Sequence, residues 1–179
     1  MLSAVATRTA QFVSAVSGTG AKIVDTRKTL PGLREAQKYA VRMGGGTNHR
    51  MGLFDAILIK ENHIAAAGGI TQVLARAADV AKRADFVQIE VETLDQLNQA
   101  LDAGATMILL DNMDLNMLEQ AVRLNAARGT AKAVLEISGG VTLESVATLA
   151  RTGVDRISVG ALTKDIKAID FSMRFEDMA

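Results

Sequence analysis

DTRKTLPGLREAQKYAVRMGGGTNHRMGLFDAILIKENHI, residues 25–64, is the stretch whose reading decides the fold. A short apolar strand, Lys22 to Asp25, runs into Thr26-Arg27-Lys28-Thr29. A helix is expected from about Gly32 to Met43, with Pro31 in its first turn. Its inward face is read as Leu33, Ala36, Tyr39, Ala40 and Met43, and Gly44-Gly45-Gly46 stops it. A second apolar strand, Phe54 to Ile59, then runs into Lys60. Strand, helix, strand is the βαβ unit of a parallel sheet. Both strands deliver cations just past their C-terminal ends, and small residues lie between them. Cations together with closely approaching backbone amides are the parts of a polyanion site.

The same rhythm extends in both directions. Residues 2–17, with Val5, Phe12, Val13 and Val16, read as a helix. Residues 61–69 read as a loop or helical turn, and Ile70 to Arg83 as an amphipathic helix. Strands are expected at Phe86 to Val91, Met107 to Leu110, Ala133 to Ile137 and Arg156 to Val159. Thr93, Asp114 and Thr142 have the residue type and position of helix N-caps. Strands four and five read as continuously apolar, as strands buried on both faces do. Ile169, Phe171, Met173 and Phe175 alternate with polar residues, the pattern of a half-exposed strand. Polar groups or glycines follow every βα strand: Thr26-Arg27, Lys60, Glu90-Glu92, Asp111-Asn112, Ser138-Gly139-Gly140 and Gly160. On one barrel rim they would converge, whereas an open sheet gathers ligands at one switch point. The fold class expected is α/β: an incomplete, TIM-like parallel barrel of about six strands, forming one domain over residues 1–179.

Composition narrows the function. The 179 residues are 49% hydrophobic and 22% charged, enough for one sizeable core. Lys+Arg and Asp+Glu are both 20, so there is no basic excess of the kind that generic nucleic-acid or membrane-surface binding needs. No cysteine and two histidines leave no thiolate zinc site and little room for a histidine cage. The cysteine-free composition is compatible with a cytoplasmic setting. No apolar run reaches the ~18 residues of a membrane span, and no signal-peptide order is seen.

Three segments in order, Asp25-Thr26-Arg27-Lys28-Thr29-Leu30-Pro31-Gly32, Asn48-His49-Arg50 and Ile59-Lys60-Glu61-Asn62-His63, give the chain a specific likeness. It resembles quinolinate phosphoribosyltransferase, the carboxylating nicotinate-nucleotide pyrophosphorylase, over nearly its whole length. The resemblance implies an incomplete α/β barrel and homodimers or higher homo-oligomers. It implies transfer of phosphoribosyl from phosphoribosyl pyrophosphate to quinolinate, giving nicotinate mononucleotide, pyrophosphate and CO₂. It also implies a smaller N-terminal α/β domain ahead of this segment, and an arginine from it that enters the neighbouring subunit's site. Neither lies within residues 1–179, so the isolated chain is expected to be impaired.

The residues then take expected roles. Arginine meets planar carboxylates at two points, and lysine serves phosphate as a point charge. By resemblance, Arg27, His49 and Arg50 would hold the carboxylates, with Lys28 and Lys60 beside the donor, and Thr26 is also expected among the substrate-binding residues. Glu90 and Asp111 end strands three and four. They would meet the ribose hydroxyls and Mg²⁺ carried on the pyrophosphate, since Mg²⁺ is normally held by one or two carboxylates plus substrate oxygens. Glu92 is expected on the same face as Glu90. Ser138, Gly139, Gly140 and Gly160 are expected to cradle the 5-phosphate. His63 is read as capping or packing the loop after strand two. Two alternatives stay open: a related phosphoribosyltransferase for another ring acid, and a non-catalytic barrel subunit.

Overall fold

The computed structural model describes residues 1–176. Its elements run α1 (Leu2–Ala15), β1 (Lys22–Val24), α2 (Arg34–Met43), β2 (Ile57–Ile59), α3 (Glu61–Ala67), α4 (Ile70–Ala81), β3 (Val87–Val91), α5 (Leu94–Asp102), β4 (Met107–Asp111), α6 (Leu115–Ala126), β5 (Val134–Ser138), α7 (Leu143–Ala150), β6 (Arg156–Ser158) and α8 (Ala161–Lys164). The six strands are all parallel, in the order β1-β6-β5-β4-β3-β2. That is the cyclic order of a barrel with one open seam. Strands β1 and β2 are the two sheet edges, and the seam is partly filled by Thr47, which pairs with Val24 of β1.

Alternation along each strand separates two environments. Ile23, Ile59, Ile89, Val91, Ile108, Leu110, Leu135, Ile137, Ile157 and Val159 join the core between the sheet and its helices. The other face looks into the barrel, and there the chain is polar as well as apolar: Gln88, Glu90, Glu136 and Ser158 are all buried. The helices start where the sequence places their caps. Thr93 Oγ1 accepts from Gln96 N at 3.1 Å, Asp114 Oδ1 from Met117 N at 2.8 Å, and Thr142 Oγ1 from Ser145 N at 3.3 Å.

Four expectations are corrected. Strand two is Ile57–Ile59 rather than Phe54–Ile59. The Asp55 carboxylate accepts from the amides of Met51 and Gly52, and this turn leaves Phe54 81% exposed. Residues 61–67 form a full helix, α3, begun by His63 Nδ1 accepting from Lys60 N at 2.9 Å. Helix α2 buries Gln37, Lys38, Ala40 and Val41, while Tyr39 is 51% and Met43 60% exposed. Polar partners override the apolar pattern there: Gln37 accepts from Leu30 N at 2.8 Å and donates to Thr163 O at 2.9 Å, and Lys38 pairs with Asp25. Residues 166–176 form no strand; Ile166, Lys167 and Ile169 instead line a pocket together with residues of α1. No described helix is long and apolar enough to cross a membrane.

Candidate functional site

The C-terminal ends of the strands open into a cleft of about 720 Å³. All twelve residues expected at the site line it, from Thr26 to Gly160. Period-two alternation brings them together: Leu58 and Lys60 on β2 and just past it, Glu90 on β3, Leu109 and Asp111 on β4, and Glu136 and Ser138 on β5 share the inner face. Glu92, expected beside Glu90, does not line the cleft. It lies one residue beyond β3, where its amide donates to Gln96 and the chain turns into α5.

The charges sort into groups. Lys60 Nζ donates to Glu90 Oε2 at 2.9 Å, and this bond holds the Lys60 pKa above its ordinary value. Lys60 is thus a cation across the neutral range. Asp111, on the neighbouring strand, accepts from Asn112 Nδ2 at 2.9 Å. Burial, and then the nearby Arg27, push the Arg50 pKa down, while Asp55 opposes the shift. Arg27 Nε is buried and has no hydrogen-bond partner among the described residues.

His49 is built into the floor. Its Nδ1 accepts from the Arg50 amide at 2.8 Å, so Nε2 carries the proton and donates to Gln88 Oε1 at 2.7 Å. Burial lowers the His49 pKa, while Glu136, 3.7 Å away, opposes the shift. Glu136 is itself buried, with Arg156 Nε 2.7 Å from one oxygen and the Ser158 hydroxyl bonded to the other.

The glycine loop has its own logic. Gly139 has φ 98°, and a Cβ there would meet Asn112 Oδ1 at 2.2 Å, so backbone and asparagine occupy space that a side chain would need. The first turn of α7 is already capped in both directions by Thr142 and Ser145. Anion-binding amides on this side are therefore those of Gly139, Gly140 and Val141, none of which donates a hydrogen bond among the described residues. Lys28 and Lys164 flank Gly160.

Sequence reasoning quoted Asp25 and Asn48 in its motif segments without giving them a role, and missed Lys38 behind the loop at 47–50, Gln88, Glu136 and Arg156 beneath it, and Lys164 with Asp165 at the mouth. A carboxylate inside the apolar run of β5 was the available signal for Glu136. For a divalent cation, the described residues hold no group of three or more acidic or histidine side chains. Glu90 and Asp111 instead suit an ion that arrives with most of its oxygens supplied by a ligand.

Residues 5–174 match the family model described as the quinolinate phosphoribosyl transferase C-terminal domain. The chain belongs to this family. The nicotinate-nucleotide pyrophosphorylase (carboxylating) of Mycobacterium leprae (strain TN) is 48% identical over 172 residues, 96% of this chain and 60% of that protein. The structure of the nicotinate-nucleotide pyrophosphorylase from Francisella tularensis superposes with a TM-score of 0.89 at 52% identity, covering 95% of this chain and 59% of that one. A Pyrococcus furiosus pyrophosphorylase keeps the fold at 16% identity, with a TM-score of 0.75. The chain thus carries a quinolinate phosphoribosyl transferase C-terminal domain and spans about 60% of the length of these bacterial relatives.

Proposed function

We propose that this domain carries the site at which phosphoribosyl is transferred from phosphoribosyl pyrophosphate to quinolinate, with decarboxylation to nicotinate mononucleotide. The observation that supports this most is the cleft lined by five cations (Arg27, Lys28, Arg50, Lys60, Lys164), two strand-end carboxylates (Glu90, Asp111) and a glycine loop with unused amides. A dicarboxylate answers the paired guanidinium groups of Arg27 and Arg50. A phosphate answers the amides of residues 139–141 and the lysines around Gly160. Cytoplasmic NAD synthesis as a homo-oligomer is the setting that goes with this reading.

The chemistry is positioning and electrostatics. The ring nitrogen attacks C1 of the ribose, the bond from C1 to the pyrophosphate oxygen breaks, and its electron pair leaves with pyrophosphate. Arg27 and Arg50 would orient the ring acid. Lys28 and Lys60 would offset the charge that builds on the leaving group. Glu90 and Asp111 would face the ribose hydroxyls and hold Mg²⁺, which supplies charge neutralisation of pyrophosphate when bound. Alkylation leaves the ring nitrogen positive. The bond from C2 to its carboxylate then breaks, CO₂ departs, the electron pair remains on C2 beside that positive nitrogen, and C2 takes a proton from solvent.

The full-length protein, with the N-terminal domain that the family resemblance implies, should release CO₂ and pyrophosphate in equal amounts when given quinolinate, phosphoribosyl pyrophosphate and Mg²⁺; residues 1–179 alone should do so far more slowly. Lys60→Ala should lower kcat/KM by about 100-fold or more while the melting temperature stays near that of the parent, because Lys60 is at the rim. An unchanged rate, or a collapsed melting temperature, would remove Lys60 from this role. Preference for nicotinate over quinolinate would replace the proposed acceptor by another ring acid.

A further inference from the structure

We infer that the buried Asp25–Lys38 pair is a positioning device that sets how His49 and Arg50 are presented to the cleft; the substrate part of this inference rests on the quinolinate reading above. The seam supplies the reason. Strands β1 and β2 are not bonded to each other, and beyond Thr47 the segment that crosses between them forms no strand until Ile57. His49 and Arg50 sit on that crossing. Ladder hydrogen bonds, which fix Glu90 or Asp111, do not reach them.

The ion pair takes the ladder's place. Asp25 is the first residue past β1, and both it and Lys38 are 0% exposed. The Asp25 carboxylate accepts from Lys38 Nζ, from Asn48 Nδ2, and from the His49 amide at 2.8 Å. Lys38 Nζ also donates to the His49 carbonyl at 2.9 Å, and Asn48 Nδ2 to the Lys38 carbonyl at 2.9 Å. The pair therefore grips both polar backbone groups of His49. From there the His49 ring is tied to Gln88 and to the Arg50 amide. Rotating this stretch would break the grip on the N–H and on the carbonyl together. A fully buried ion pair is a poor source of stability compared with apolar side chains of similar volume. Its value here is geometric.

The test separates position from stability. Asp25→Asn and Lys38→Met each strand one buried polar group and should lower the melting temperature. The double variant Asp25→Leu/Lys38→Met leaves no buried charge unpaired, only the N–H and carbonyl of His49 released from their partners, and should recover part of the loss. It should not recover function: KM for quinolinate should rise about tenfold or more, and KM for phosphoribosyl pyrophosphate by less than about threefold. Amide exchange at His49 in the ligand-free double variant should accelerate by about 100-fold relative to the parent. A folded double variant with parental quinolinate KM, or parental His49 exchange, overturns the inference and leaves the pair purely structural. Absence of quinolinate turnover in the unsubstituted full-length protein would overturn the cleft reading and the substrate part with it; His49 exchange then decides the positional part by itself.

Discussion

His49 shows what a single residue pays attention to in this fold: it is largely buried at the floor of the cleft, and every polar atom it owns is used inside the protein. Its imidazole is neutral because burial disfavours the charged form, although Glu136 works against that shift. In the unfolded chain His49 takes a proton near pH ~6.5; in the folded chain it does so only at lower pH. Below about pH 6.5 the unfolded state binds more protons, so the contribution of His49 to stability is present above that pH and is lost as pH falls. Unfolding free energies from urea titrations at pH 7.5 and 5.5 should differ, by at most ~1.4 kcal/mol per pH unit for this one proton, and His49→Gln should reduce the difference. Identical pH dependence in the two proteins would show that His49 does not drive it. Sequence marked His49 but not its surroundings. Glu136 was passed over when strand five was read as continuously apolar, although an acid inside that run was the available signal. Lys38 was not legible, because its partners at Asp25 and His49 meet it only once α2 has docked against the sheet.

At the scale of the element, local chemistry was read well wherever it acts alone. Thr93, Asp114 and Thr142 begin helices because their side chains reach the amide three residues on. Burial faces were read less well, since α2 turns Gln37 and Lys38 inward to polar partners that lie elsewhere in the chain, and Phe54 is left outside β2 by a turn that Asp55 closes. The capped start of α7 leads to a contrast between two substitutions. Thr142→Ala should cost about 1 kcal/mol of stability yet leave the affinity for phosphoribosyl pyrophosphate within about twofold of the parent, because the phosphate is assigned to loop amides and not to the helix end. Gly160→Ala is the opposite case. A Cβ there comes no closer than 3.6 Å to any protein atom, the nearest being on Lys28, so stability should hold, while a methyl group in the phosphate site should weaken binding of phosphoribosyl pyrophosphate about tenfold or more. Calorimetry of unfolding and of ligand binding on both variants checks this. Equal losses of affinity would return the phosphate to the end of α7.

For the molecule as a whole, the barrel and its rim could be read in advance because strand-end polarity repeats in every βα unit, whereas the course of residues 166–176 could not, because alternation states what a strand would bury and not whether a neighbouring strand exists. Phe171, Met173 and Phe175 stand 76%, 84% and 92% exposed, and apolar side chains this open favour association. Sedimentation of the 179-residue chain should show mass rising with concentration, and Phe171→Ser/Phe175→Ser should shift the rise to higher concentration; a mass independent of concentration in both would show that these side chains drive no association. The seam has a further consequence, in time rather than in space. Strand β1 finds its one strand partner in β6, about 130 residues later, in the register Lys22 with Arg156. A ribosome adding ~5–20 residues per second therefore finishes the first strand many seconds before its partner emerges. Throughout that interval the nascent chain carries an unsealed edge, and the last βα unit to be synthesised is the one that completes the first.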